Sequence, residues 1–297
     1  MDAIILFVDM DDPQWLNEYE KHITYPVDKK KFRDWGFLKY VMRGIGTYMP
    51  FIDRIHLVVM MDSQVPDWVN RDSVNIIYHD DIIPKEYLPL FNSSSIEMFL
   101  HKIPGLSEEF IYFNDDFFPT QPLEYNDFFD GDGKIYNHFQ NKSVKPGYYL
   151  ENLKRSTQIA ALNFAIVEDA SKINFPQHIM APFIKKEMES CYNHTRSVVD
   201  SSISKLRLPY NLTQYFYTND LYYKGLMIDK PIPNEVLYTT INTPEEIEKF
   251  FFDKDIKAIC INDWGDNFSY EFEIYKTLIH DILERKYIIP SKYETEN

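Results

Sequence analysis

The stretch Phe110-Ile-Tyr-Phe-Asn-Asp-Asp-Phe-Phe118 decides the fold of this chain and points to its site. A β-favouring apolar run precedes two adjacent carboxylates, Asp115 and Asp116, which predicts a buried strand that ends in an acidic pair. Burying two like charges is costly unless something neutralises them. Open α/β sheets bind ligands at the carboxyl ends of their strands, so the pair predicts a metal-held phosphate. Such pairs also cap helices or lie in solvated turns, and the segment alone leaves that alternative open.

The residues before this stretch alternate between strand and helix patterns. Asp12 followed by Pro13 is typical of a helix start, with a capping residue and a proline in the first turn. We predict strands at 3–8, 54–60 and 74–78, and helices at 13–20, 36–48 and 93–102. This alternation predicts an α/β fold with a mainly parallel sheet flanked by helices.

The pattern becomes more helical after about residue 150. We predict helices at 150–170, 182–191, 212–223, 244–252 and 270–285, and strands at 236–239 and 258–261. The chain thus has two predicted parts, an α/β part over 1–150 and a helical part with late strands over 151–297.

Composition and charge exclude several classes of protein. A net charge of −15 over 297 residues disfavours nucleic-acid binding. The two cysteines, Cys191 and Cys260, lie in no metal-ligand spacing, which favours a reducing compartment. The chain shows no basic leader and no run of the roughly 20 apolar residues that span a bilayer. We expect a cytoplasmic protein, with peripheral contact at the inner face of the membrane left open.

Four blocks of the sequence follow one another along the chain: Ile5-Leu-Phe-Val-Asp-Met-Asp-Asp-Pro13; Lys31-Phe-Arg-Asp34 through Gln64-Val-Pro-Asp-Trp68 to Asn92-Ser-Ser-Ser-Ile-Glu97 and 110–118; the region of His178 and Pro182 continuing to Arg207; and Ile259-Cys-Ile-Asn-Asp263. In this order they resemble the Stealth proteins, which are sugar-1-phosphate transferases of bacterial capsules. The chain is similar in the same way to the catalytic core of the lysosomal-enzyme N-acetylglucosamine-1-phosphotransferase of animals.

The resemblance implies a reaction and a fold. A hexose-1-phosphate, with N-acetylhexosamine-1-phosphate as the first expectation, passes from a UDP-sugar to a glycan hydroxyl, and UMP leaves. The implied fold is glycosyltransferase-A-like, with 1–150 binding the nucleotide sugar and the metal and 151–297 completing one catalytic unit. Two other readings stay open: a conventional metal-dependent glycosyltransferase that releases UDP, and a non-catalytic carbohydrate-binding protein using some of the 22 Tyr and 22 Phe residues. The sugar, nucleotide, acceptor polymer and oligomeric state are also open.

The resemblance also implies roles for individual residues. Asp115 and Asp116 are expected to hold Mg²⁺ or Mn²⁺, which take oxygen ligands. His178 is the expected general base, with Glu97 as the alternative base, and Arg207 is expected to clamp the phosphate. The expected nucleotide-sugar contacts are Asp9, Asp12, Arg33, Asp34, Lys39, Asn114, Asn262 and Asp263. A simple capping role for the acids near Asp9, and a solvated face for Lys39, are the structural alternatives.

Overall fold

The computed structural model describes residues 1–25, 27, 32–141, 146–231, 236–240, 243–262 and 272–295. Its strands are β1 (Asp2–Leu6), β2 (Arg54–Val59), β3 (Val74–Tyr78), β4 (Glu109–Asn114), β5 (Phe117–Pro119), β6 (Ile135–Asn137), β7 (Ala181–Ile184), β8 (Met227–Asp229), β9 (Val236–Thr240) and β10 (Ala258–Asn262). Its helices are α1 (Pro13–Glu20), α2 (Leu38–Tyr48), α3 (His79–Ile82), α4 (Ser93–Glu97), α5 (Tyr148–Leu162), α6 (Lys185–His194), α7 (Arg196–Ser202), α8 (Tyr215–Tyr223), α9 (Pro244–Phe252) and α10 (Phe272–Lys286).

The main sheet has the strand order β3-β2-β1-β4-β7. The first four of these strands pair in parallel, and β7 runs antiparallel to β4 at the edge. The prediction of an α/β fold with a mainly parallel sheet and flanking helices is therefore confirmed. Because β1 is followed by β2 on one side and neighbours β4 on the other, the strand order reverses between β1 and β4, and ligands bind at such switch points.

The centres of β1 and β4 are fully buried. Ile4, Ile5 and the run 110–113 have no solvent exposure. Each such large apolar side chain contributes about 1.5–3 kcal/mol relative to an exposed position, which explains why both strands read as continuous apolar runs. In the register of the pair, Leu6 faces Asn114, so the residues that follow both strands emerge at the same edge.

A second, smaller sheet begins directly after the acidic pair. β5 starts at Phe117 and pairs antiparallel with β10, which in turn pairs in parallel with β9. The backbone N–H of Ile261 donates to the carbonyl oxygen of Asp116 over 3.1 Å, which extends this pairing into the turn. Asp115 and Asp116 therefore lie at the junction of two sheets, where the backbone is held from both sides.

Two of the predicted helices are wrong in part. The helix predicted at 182–191 begins only at Lys185, because Ala181–Ile184 forms the buried edge strand β7 against β4. Pro182 is tolerated there because an edge strand does not need every N–H for pairing. The helix predicted at 150–170 ends at Leu162, and Ala165 takes a left-handed φ of 57° just beyond it. Asn163, at the end of this helix, donates to Asp220 over 3.0 Å, a tertiary contact that local propensity does not reveal.

The other predicted elements are found with small shifts in their ends. The helix predicted at 93–102 is divided into α4 and a 3₁₀ turn at Leu100–Lys102. The start predicted for the last helix, residue 270, lies outside the described residues. In the described part of the chain, no helix has both the length and the apolar character needed to cross a bilayer. The division of the chain at residue 150 stays a prediction.

Candidate active site

A cavity of about 660 Å³ opens at the carboxyl edge of the main sheet, where the strand order reverses. The chain reaches it from the ends of β1, β2 and β4, and from the segment that precedes α8. Asn114, Asp115 and Asp116 line it together with Arg207 and Ser93. This volume is typical of a small-molecule site, and a nucleotide sugar falls within that size range.

The carboxyl groups of Asp115 and Asp116 lie where water solvates them poorly. Burial raises the pKa of Asp116 to about 7, and the Cys260 thiol, whose Sγ lies 3.7 Å from Asp116 Oδ2, only partly opposes this. Burial, together with the charges of Asp116 and Asp34, raises the pKa of Asp115 well above its usual range. Asp116 Oδ1 is buried and has no hydrogen-bond partner among the described residues. An unsatisfied carboxylate oxygen in an adjacent acidic pair fits a hard divalent cation such as Mg²⁺ or Mn²⁺.

His178 is brought to the acidic pair from far along the chain. One of its ring nitrogens, a carboxylate oxygen of Asp116 and Sγ of Cys260 all lie within 4.8 Å of one another. His178 Nδ1 lies 2.7 Å from the hydroxyl of Tyr215, and its ring meets Phe117 edge-on at 5.2 Å. The imidazole is therefore oriented by a hydrogen bond on α8 and by an aromatic ring on β5.

Arg207 lines the cavity, and Glu97 lies buried close to it. The Arg207 guanidinium donates to Ser93 Oγ over 2.7 Å, at the first residue of α4. Glu97 is buried at the end of the same helix, where Oε2 accepts from the backbone N–H of Gln214 over 2.7 Å. Burial raises the pKa of Glu97, and the charge of Arg207 acts in the opposite direction. The carboxylate thus contacts the protein framework around the site, and Arg207 is the group on the cavity wall.

Asp9 and Asp34 form a second acidic group at the same sheet edge. With Lys39 they line a smaller cavity of about 150 Å³. Burial raises the pKa of both carboxyls, and the charge of Asp9 adds to the effect on Asp34. Lys276 Nζ donates to the carbonyl oxygen of Asp34 over 2.7 Å and partly offsets these charges.

The remaining predicted contacts lie in several different surroundings. Asn114 Oδ1 accepts from the Tyr112 hydroxyl over 2.7 Å at the cavity wall. The Arg33 guanidinium lies over the ring of Phe272, 4.5 Å from its centroid. Lys39 Nζ is 3.9 Å from a carboxylate oxygen of Glu294. Asn262 ends β10, and Asp263 lies outside the described residues.

Asp12 has a structural role in this fold. Its Oδ1 accepts from the backbone N–H of Gln14 at the start of α1, and its Oδ2 accepts from Ser63 and Gln64. Burial opposes ionisation, but the hydrogen bonds from Ser63 and Gln64 outweigh it and lower the pKa of Asp12. Its predicted role as a nucleotide contact stays a prediction.

Sequence reasoning missed Cys260 and Tyr215. Both contact His178 or Asp116 directly, yet neither lies near them in the sequence. Cys260 belongs to the fourth family-like block, Ile259-Cys-Ile-Asn-Asp263, which was the available signal. Tyr215 lies in a Tyr-rich helix where no pattern distinguishes one ring from the next. Asp115, Asp116 and Arg207 line one cavity, and His178 lies beside Asp116. Paired carboxylates, a histidine and an arginine at the edge of a mainly parallel sheet are the kind of site that α/β phosphotransferases use.

Comparison with known proteins identifies the family. Residues 31–137 match the family model described as Stealth protein CR2, conserved region 2. The chain is 30% identical over 297 residues to the capsular polysaccharide phosphotransferase cps12A of Actinobacillus pleuropneumoniae, covering 91% of this chain and 78% of that protein. It is 26% identical over 320 residues to the receptor polysaccharide phosphotransferase WefC of Streptococcus gordonii, covering 92% and 93% of the two chains. The chain belongs to the Stealth family, and the resemblance found in its sequence is confirmed.

Other matches are more local or more distant. The capsular polysaccharide phosphotransferase cps1A of Actinobacillus pleuropneumoniae is 40% identical over 155 residues, covering 48% of this chain and 42% of that protein. A solved structure of an active-site mutant of LgtC covers 94% of this chain and 95% of its own, at 10% identity and a TM-score of 0.47.

Proposed function

We propose that this phosphotransferase moves a hexose-1-phosphate, in the first instance N-acetylhexosamine-1-phosphate, from a UDP-sugar to a hydroxyl group of a capsular or other cell-surface polysaccharide. The observation that carries the proposal is the acidic pair at the switch point of the sheet, with His178 beside Asp116 and Arg207 on the wall of the cavity that the pair lines. Membership in a family whose relatives are named as polysaccharide phosphotransferases gives the reaction class.

The reaction is a displacement at phosphorus. The acceptor oxygen attacks the phosphorus that bears the sugar, and the bond from that phosphorus to the bridging oxygen of the diphosphate breaks. UMP leaves with the bridging oxygen, and the proton of the acceptor hydroxyl passes to a base. The product is a phosphodiester between two sugars. Catalysis of such a step is mostly positioning and charge stabilisation, which fits a rigid site between two sheets.

We assign Asp115 and Asp116 as the residues that hold Mg²⁺ or Mn²⁺. When bound, the cation neutralises charge on the diphosphate and on the leaving phosphate. The support on the protein side is the unsatisfied Oδ1 of Asp116 and the raised pKa of both carboxyls, because a nearby cation removes the cost that raises them.

His178 is assigned as the general base. The Tyr215 hydroxyl sets the orientation of the imidazole through Nδ1, and Nε2 is the nitrogen that we assign to take the acceptor proton. Arg207 is assigned to the phosphate, to which a guanidinium can make paired hydrogen bonds. Glu97 acts as a positioning residue, because it is buried near Arg207 and fixes the start of α8 through Gln214.

The mouth of the cavity suits a glycan acceptor. Tyr25 and Tyr148 line it and are 49% and 54% exposed, so that each ring can stack on a sugar. We infer from the proposed UDP-sugar donor that the enzyme works in the cytoplasm and meets a membrane-bound acceptor at the inner face of the membrane.

The deciding experiment is a panel of nucleotide sugars incubated with a glycan acceptor and Mg²⁺, scored for the nucleotide released. The proposal expects UMP from a UDP-N-acetylhexosamine, and a new phosphodiester signal of the glycan in the ³¹P NMR spectrum. Release of UDP with no phosphorus in the glycan would identify a conventional glycosyltransferase instead. Absence of binding to every nucleotide sugar in the presence of Mg²⁺ would favour a carbohydrate-binding protein.

A further inference from the structure

Cys260 lies close to the acidic pair, and the proposed reaction gives it no task. It lies on β10 with no solvent exposure, opposite Phe117 of β5. The pairing of these two strands carries its thiol to Asp116, where Sγ lies 3.7 Å from Oδ2. A buried cysteine is ordinarily a small apolar residue, but this one faces a carboxylate and a histidine.

The three side chains meet in a geometry close to that of a metal site. One ligand atom from each of Asp116, His178 and Cys260 lies within 4.8 Å of the other two. Zinc bonds of about 2.0–2.3 Å in a tetrahedral arrangement place ligand atoms roughly 3.3–3.8 Å apart. Small side-chain movements of about 1 Å would therefore bring all three into coordination.

The surrounding contacts already hold these ligands in place. Tyr215 hydrogen-bonds to Nδ1 of His178, so Nε2 is the ring nitrogen that we assign to the ion, and Tyr215 would then be an outer partner of the kind that metal-bound histidines have. The main chain of Asp116 is held by the N–H of Ile261. Asp116 Oδ1 is buried without a partner among the described residues, which is an independent sign of a missing ligand.

The chemical types of these three ligand atoms determine which metal ion they prefer. Mg²⁺ takes oxygen ligands almost exclusively, whereas a thiolate and an imidazole are preferred by Zn²⁺ and similar transition metals. One thiolate, one carboxylate and a neutral imidazole also balance the 2+ charge of the ion. Three protein ligands leave the fourth tetrahedral position to water.

We propose that Asp116, His178 and Cys260 form a Zn²⁺ site, which shares Asp116 with the Asp115–Asp116 pair and adds two ligands of its own, and that Zn²⁺ bound there inhibits the enzyme. On binding, the Cys260 thiol loses its proton to solvent and its sulfur coordinates the ion. Inhibition follows because the ion occupies the proposed base and one of the acids. The binding itself stands on the geometry, and only the inhibition rests on the proposed function.

Cobalt is the probe for this site, because a thiolate bound to Co²⁺ produces a charge-transfer absorption band. We expect the metal-free full-length protein to develop this band on titration with Co²⁺ and to lose it when Zn²⁺ is added. Cys260→Ser should abolish the band and weaken Zn²⁺ binding, measured by calorimetry, by at least about 10-fold. Cys191→Ser is the matched control: Cys191 is the other buried free cysteine and should leave both readouts unchanged.

A second variant tests the zinc site without removing any of its three ligands. Tyr215→Phe retains all three ligands but removes the outer hydrogen bond, and should weaken Zn²⁺ binding by about 10–100-fold while keeping the cobalt band. Circular dichroism checks that each variant is folded. A band that persists in a folded Cys260→Ser protein, or that disappears in Cys191→Ser, would overturn the proposal.

Activity separates the two proposals. In Mg²⁺ buffer, Zn²⁺ should inhibit UMP release by the wild type, and inhibition of Cys260→Ser, relative to its own rate, should need at least about 10-fold more Zn²⁺. A cobalt band in a protein without transferase activity would support the zinc site and refute the proposed function. Transferase activity in a protein that binds neither Co²⁺ nor Zn²⁺ would do the reverse.

Discussion

Two acidic turns leave neighbouring parallel strands at the same edge of the sheet, and they have opposite surroundings. After β1, Asp12 accepts hydrogen bonds from Gln14, Ser63 and Gln64, and its pKa is lowered. After β4, Asp116 has an oxygen without a partner among the described residues, and its pKa is raised to about 7. The comparison teaches that an acidic residue at a strand end stabilises the fold when the protein satisfies it, and is available for a ligand when the protein does not.

The largest expected effect is the loss of catalysis when the unsatisfied acid is removed. Asp116→Asn should lower the rate of UMP release by about 10³-fold, because the cation loses a charged ligand and the transferring phosphate loses its stabilisation. The fold should persist, since the buried carboxylate destabilises the metal-free protein. Thermal unfolding and circular dichroism provide the control, and a near wild-type rate would remove Asp116 from the metal site.

The next effect concerns the base beside that acid. His178→Gln should lower the rate by about 10²-fold and abolish the acidic limb of the pH–rate profile, because no imidazole remains to be protonated as the pH falls. Tyr215→Phe is the matched variant: it should slow the reaction but keep the limb, because the imidazole is still present. If the acidic limb remained in His178→Gln, a group other than His178 would be the base.

The third prediction compares how pH and Mg²⁺ change the contributions of Asp116 and Asp12 to the stability of the fold. The folded pKa of Asp116, about 7, lies above the unfolded value of about 3.9, so the metal-free protein should lose stability from this group as pH rises from about 4 to 7. The pKa of Asp12 is lowered, so its contribution is present above the unfolded value and is lost as pH falls below it.

Mg²⁺ should reverse the first of these trends. At 100 times its dissociation constant the ion should add about 2.7 kcal/mol at neutral pH, measured as a shift in thermal unfolding. Asp116→Asn should abolish this gain and flatten the loss between pH 4 and 7. An undiminished Mg²⁺ effect in the variant would show that the ion binds elsewhere.

The smallest expected effect belongs to the satisfied acid. Asp12→Ala should lower the free energy of unfolding by about 1–2 kcal/mol, because α1 loses its N-cap and Ser63 and Gln64 lose an acceptor. Urea unfolding measures the loss, and the Mg²⁺-dependent gain in stability should be retained. A variant as stable as the wild type would mean that the hydrogen bonds of Asp12 do not stabilise the fold.

Much of the first half of the fold was predictable because its signals are local. The apolar runs of β1, β2 and β4 are buried on both faces, and Asp12 with Pro13 starts α1 where the capping pattern predicts. The helix predicted at 182–191 is wrong over 182–184, because these residues become part of a strand only by pairing with β4. The contact of Cys260 with Asp116 was not predictable for the same reason: it depends on the register of β10 against β5.

The amino-acid sequence by itself determined the α/β class, the family and the placement of acids at the carboxyl ends of β1 and β4, because apolar periodicity and motif spacing are written along the chain. Only the tertiary structure decided which acid is satisfied and which is not. Ser63 and Gln64 reach Asp12 from the segment after β2, and His178, Tyr215 and Cys260 reach the neighbourhood of Asp116 from the second half of the chain. Hydrogen bonding and desolvation depend on these distant neighbours, so the chemistry of a carboxylate is settled by packing and not by its position in the sequence.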